Sequence, residues 1–89
     1  MKILNFSAVW CHGCLLMKSI VAEIQKEYPD LEIIEYDLDD DLEAVNKWKI
    51  GDKIPVYIFL NNDLEKERIV GEVSKKKFKE VIDRCLEGK

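Results

Sequence analysis

The chain is poor in several things, and each shortage excludes something. Its 89 residues include one histidine, two prolines and four glycines. No segment is biased in composition or repeated, and nothing reads as a linker, so residues 1–89 are expected to form a single domain. A chain of this size buries roughly 60–65% of its unfolded surface, enough for one core and not two. No apolar run approaches the ~20 residues of a membrane span; Ile54 to Leu60 is among the longest. Positive charge is not in excess. The formal net charge is −4, which argues against nucleic acid as a partner, because phosphate binding wants a basic face. The three cysteines are an odd number, where a secreted scaffold stapled by disulfides would carry four, six or eight. Met1 to Ser7 lacks the long apolar stretch and small-residue cleavage site of a signal peptide. A cytoplasmic location is therefore expected, and there a static structural disulfide is not.

What is present is a folded composition, 47% apolar and 36% charged. Lys2 to Val9 is short and apolar and reads as a buried strand. From Cys14 to Glu27, Leu15, Leu16, Ile20, Val21 and Ile24 recur at helical spacing until Pro29 and Asp30 stop the helix. Leu31 to Leu38 reads as a second strand. Asp40 to Lys49 reads as a short helix with Leu42, Val45 and Trp48 inward. Pro55 to Leu60 and the more polar Leu64 to Val70 are strands joined by Asn61, Asn62 and Asp63. Ser74 caps a last helix that runs to Leu86, with Phe78, Val81, Ile82 and Cys85 on its apolar side. The order is β-α-β-α-β-β-α. A βαβ crossover makes the first two strands parallel, and the three-residue connection makes the last two an antiparallel hairpin. An α/β fold follows, with a mixed four-stranded sheet flanked by helices. The acidic run Asp37 to Asp41 and the lysine run Lys75 to Lys79 read as solvated loop and helix surface.

The chemistry concentrates at Trp10-Cys11-His12-Gly13-Cys14. Cys11 falls where the first strand meets the first helix. A helix N-terminus offers free N–H groups and partial positive charge, and both stabilise a thiolate. A dipole effect of up to ~2 kcal/mol would lower a thiol pKa of about 8.5 by roughly 1.5 units. Cys11 is therefore the natural nucleophile. Cys14 lies about one turn further on the same helix and can resolve a mixed disulfide formed on Cys11. Gly13 leaves room at the turn. His12 reads either as an exposed polar residue or, when protonated, as a further support for the Cys11 thiolate.

In these residues the chain resembles the thioredoxin family over nearly its whole length. Asn5 to Cys14 resembles that family's strand end and active site, with an aromatic directly before the first cysteine. Lys53-Ile54-Pro55-Val56 resembles the segment that carries its cis-proline, and Val70 to Lys75 the turn into its last helix. The family's first strand and helix have no counterpart here, so the resemblance is to a minimal core. It implies a thioredoxin fold and a protein-disulfide oxidoreductase without a bound cofactor. It also implies a cis bond before Pro55, a shallow apolar substrate groove formed by Trp10, Ile54, Pro55 and Gly71, and pairing of a substrate's backbone at Ile54. Electrons are expected from a thioredoxin reductase-like partner or glutathione, and the protein is expected to be a monomer.

Two departures bear on proton transfer. Asn5 stands where many thioredoxins have a buried aspartate that helps deprotonate the resolving cysteine, and Glu35 stands about where a lysine is common. The usual relay is therefore changed; His12 or a water would have to substitute, or resolution would be slower. Two alternatives stay open at this point. One is a glutaredoxin-like, glutathione-dependent reductase, although that family's aromatic between the cysteines and its Gly-Gly cap are missing. The other is a metal or iron–sulfur module using Cys11. A tetrahedral zinc site needs four ligands, and Cys11, Cys14, His12 and Cys85 lack the spacing to converge. Cys85 reads as a small buried hydrophobe.

Overall fold

Alternation of side chains along a strand sends successive residues to opposite faces of a sheet. In β1 (Lys2–Ser7) this places Ile3 and Asn5 on one face and Leu4 and Phe6 on the other. Both faces are covered, so β1 is buried along most of its length. The structure is a computed structural model that describes residues 1–87. After β1 come α1 (His12–Glu27), β2 (Glu32–Asp37), α2 (Leu42–Lys47), β3 (Val56–Asn61), β4 (Leu64–Val70) and α3 (Lys75–Glu87). The sheet order is β2-β1-β3-β4. β1 pairs parallel with β2 and antiparallel with β3, and β3 pairs antiparallel with β4.

The larger core lies between one sheet face and the helices α1 and α3. Ile3, Tyr57, Phe59 and Ile69 meet Met17, Val21, Ile24, Phe78 and Val81 there. The opposite face carries Leu4, Phe6, Val56, Ile58 and Leu60 and is covered by α2 and its flanks through Ala44, Val45, Trp48 and Ile50. The mixed four-stranded sheet with helices on both faces is thus the observed architecture.

Local geometry follows local chemistry. Asn62 and Asp63 adopt φ of 56° and 62°, the left-handed pair that a tight hairpin needs and that Asn and Asp tolerate. Ser74 Oγ accepts from the Lys77 N–H at 3.1 Å and caps α3. The helices differ from expectation in their buried stripe. In α1 the inward residues are Cys14, Met17, Val21 and Ile24, while Leu15 and Leu16 are 62% and 54% exposed. The stripe of a helix is fixed by the element it faces, and two adjacent leucines cannot both lie on a stripe that already contains Cys14 and Met17. In α2, Leu42 is exposed for a similar reason: it opens a helix of only six residues that touches the sheet through Ala44 and Val45. β1 and β2 are shorter than expected, stopping at Ser7 and Asp37, whereas β3 runs on to Asn61 and pairs it with Leu64, so the connection to β4 is two residues and not three; α1 starts two residues before Cys14.

Candidate active site

β1 runs out at Ser7, and Ala8, Val9 and Trp10 carry the chain over the end of the sheet into α1. The Cys11 N–H donates to the Ala8 carbonyl at 3.1 Å, which closes this turn and leaves Cys11 as the N-cap of α1. Its Sγ accepts from the Cys14 N–H at 3.1 Å. A sulfur in this position takes the place of the capping oxygen and sits at the positive end of the helix. Cys11 and Cys14 are joined by a disulfide, with their Cα atoms 5.3 Å apart. Both are buried against Ala8, with Leu38 and Ile54 beside them.

The loop before β3 closes the site from the other side. The Ile54–Pro55 peptide bond is cis, Pro55 is fully buried, and the Ile54 carbonyl oxygen lies 3.8 Å from Cys11 Sγ. The Pro55 carbonyl in turn accepts from the Gly71 N–H at 2.7 Å, drawing the turn between β4 and α3 onto the same loop. Gly71 has φ of +96°. No atom lies within 4 Å of where its Cβ would be, so glycine is required there by backbone conformation and not by crowding. Trp10, Ile54, Pro55 and Gly71 therefore belong to segments that meet around Cys11. His12 is the first helical residue and is exposed. Gly13 faces Glu72: a Cβ built on it would stand 3.0 Å from the Glu72 Cδ.

Asn5 is brought to the rear of the site. It is 8% exposed, and its Oδ1 has no hydrogen-bond partner. It lines a cleft of about 440 Å³ together with Cys14, Lys18, Glu35 and Tyr57. The Tyr57 hydroxyl is held above the ordinary tyrosine range by burial, with the Glu35 charge adding to the effect. Cys85 is distant in role: it is buried in the α1/α3 core and free, and burial pushes its thiol up.

One residue of the site, Asp39, was missed in the sequence. The Trp10 indole is 61% exposed, yet its Nε1 donates to Asp39 Oδ2 at 2.7 Å. Asp39 is held in turn, its N–H donating to Asp37 Oδ1 at 2.8 Å while the Asp37 N–H donates to Asp41 Oδ2 at 2.7 Å. The acidic run is thus a folded bracket for the aromatic side chain and not merely a solvated loop. Three aspartates at alternate positions from the last residue of a strand onward were the available signal, since Asp favours such local backbone bonds.

Comparison with known proteins settles the kinship. The family model for Thioredoxin matches residues 1–84. The chain belongs to the thioredoxin family. Thioredoxin H4-2 of Oryza sativa subsp. japonica is 35% identical over 69 residues, covering 78% of this chain and 52% of that one. Thioredoxin H5 of the same plant is 33% identical over 69 residues, covering 78% and 50%. The chain thus spans about half the length of these relatives. The X-ray structure of Fasciola hepatica thioredoxin superposes with a TM-score of 0.85 at 29% identity, covering 93% of this chain and 78% of that one. These thioredoxin matches do not favour the glutaredoxin-like or metal-binding alternatives. Among the described residues no helix of this thioredoxin-family chain is long and apolar enough to cross a membrane.

Proposed function

We propose that residues 1–89 act as one thioredoxin-like domain that reduces protein disulfides by dithiol exchange. The observation that carries this reading is the Cys11–Cys14 disulfide at the start of α1, with a backbone N–H aimed at Cys11 Sγ. Reduction of that disulfide by a thioredoxin reductase-like partner or glutathione supplies two electrons and leaves a dithiol. The Cys11 thiolate, stabilised at the helix N-terminus, attacks one sulfur of a substrate disulfide and expels the other as a thiolate. Cys14 then loses its proton and attacks Cys11 Sγ. The substrate's second sulfur leaves as a thiolate, and the Cys11–Cys14 disulfide is restored.

Trp10, Ile54, Pro55 and Gly71 present the substrate, the exposed indole and the loop around the cis-proline forming the apolar rim. A substrate strand pairs with the backbone at Ile54. His12, exposed beside Cys11, tunes the thiolate when protonated. The chain works without a resident cofactor, as a cytoplasmic monomer in redox homeostasis and electron transport; its odd cysteine count supports that compartment.

Replacement of the resolving residue tests the assignment of roles. Cys14→Ser is expected to trap a mixed disulfide on Cys11 that mass spectrometry of the digested adduct locates. Trapping through Cys85 would overturn it.

A further inference from the structure

Resolution requires Cys14 to lose a proton, and the groups around Cys14 determine where it goes. Cys14 is buried on α1, above the sheet row formed by Glu35, Asn5 and Tyr57. These three are register partners across β2, β1 and β3, Asn5 pairing with Glu35 on one side and Tyr57 on the other, so their side chains share the face that α1 covers. Asn5 is an amide and cannot take a proton at neutral pH. Its Oδ1 is buried and unpartnered, a costly state for a polar atom unless water reaches it. The cleft it lines, about 440 Å³, has room for more than one water.

From these observations we propose that Glu35 is the proton acceptor for Cys14, through water positioned by the Asn5 side chain. The step balances simply. Cys14 Sγ–H gives its proton to water, which passes one to the Glu35 carboxylate, and the Cys14 thiolate displaces the substrate sulfur from Cys11. Glu35 lines the cleft and is exposed, so its proton is then lost to solvent.

Other titratable groups face the same cleft. Lys18 comes from α1, Tyr36 and Asp37 from β2, Asp41 from the start of α2, and Tyr57 from β3. Asp37 and Asp41 already accept the Asp39 and Asp37 N–H groups in the bracket below Trp10. Tyr36 stacks on Phe6 across the sheet. Tyr57 stays protonated, since its hydroxyl is shifted up. Lys18 offers donors and no acceptor, which leaves Glu35 as the uncommitted base.

The inference rests on the dithiol reading above, and one experiment separates the two. Reduced protein is mixed with 5,5′-dithiobis(2-nitrobenzoate) in a stopped-flow instrument. A first, concentration-dependent phase reports attack by Cys11, and a second, concentration-independent phase reports resolution by Cys14. Glu35→Gln is expected to leave the first phase unchanged and slow the second by about a hundredfold at pH 7, the low side of what a positioned base supplies. The deficit should shrink as pH rises and hydroxide takes over. Asn5→Asp, which puts a carboxylate beside Cys14, should restore the second phase in the Glu35→Gln background. A Glu35→Gln second phase that is unchanged or faster overturns the proposal; faster is the result if Glu35 acts only as a nearby negative charge. Equal slowing of both phases, or no recovery with Asn5→Asp, also overturns it. Absence of the first phase in the unmodified protein would overturn the dithiol reading instead.

Discussion

Gly71 shows how one residue's conformation governs the site. Its φ of +96° and its N–H bond to the Pro55 carbonyl hold the β4–α3 turn against the loop beside Cys11. Any residue with a Cβ is strained there at roughly 1–2 kcal/mol. Gly71→Ala is therefore expected to lower stability by about that amount in urea unfolding, although nothing crowds the added methyl. Trp10 and Asp39 give a second test at this scale. Asp39→Ala removes the acceptor of the indole N–H, and fluorescence anisotropy of Trp10, read with Trp48→Phe in the background, should fall. Unchanged anisotropy would mean the bracket does not hold the ring. The cysteine pair was legible in the sequence because its chemistry depends on spacing along one helix. The Trp10–Asp39 bond was not, because it joins residues 29 apart and the acidic run looks the same whether it is solvated or folded.

Among the elements, α1 and α3 are linked by charge as well as by the core. Lys75 reaches Glu23 and Glu27, and Lys79 reaches Glu27, while the Tyr28 hydroxyl donates to Asp83 at 2.8 Å. Part of the lysine run thus faces another helix, which charge pattern alone did not reveal, since it does not say what lies opposite. The two lysines hold the Glu27 carboxyl down to about 2 from an ordinary 4.5. A carboxylate with a lowered folded pKa contributes stability above its unfolded value and loses it as pH falls through the folded one. The contribution of this surface cluster should be fully present above about pH 4.5 and disappear toward pH 2. It is modest, because exposed pairs are screened. Urea midpoints measured across that window should fall with pH in the native chain and fall less in Glu27→Gln. Parallel curves would contradict the link.

At the scale of the whole molecule, the fold was legible because element types and turn signals agree along the chain. The crossover after β1, the Asn-Asp hairpin turn and the Ser74 cap each left a local mark. Strand order and helix stripes were not legible, since they depend on which surfaces meet. The cleft behind Cys14 was hidden for the same reason: Asn5 and Glu35 stood out separately, but only the β1–β2 register puts them side by side. Phe78 is one point where the assembly is exposed to damage. It is fully buried, with its ring centroid 5.0 Å from that of Tyr57 and 5.4 Å from that of Phe59, so it joins α3 to β3. Phe78→Ala is expected to cost about 3–5 kcal/mol, seen as a lowered urea midpoint with slope retained.

The most direct test of a redox dithiol is a titration of the purified protein against glutathione and dithiothreitol buffers, read by thiol counting and Trp10 fluorescence. The expected result is one reversible two-electron transition, with a midpoint between roughly −270 and −180 mV, in which Cys11 and Cys14 change state and Cys85 does not. No reversible Cys11–Cys14 couple, or a transition that consumes Cys85, would contradict it.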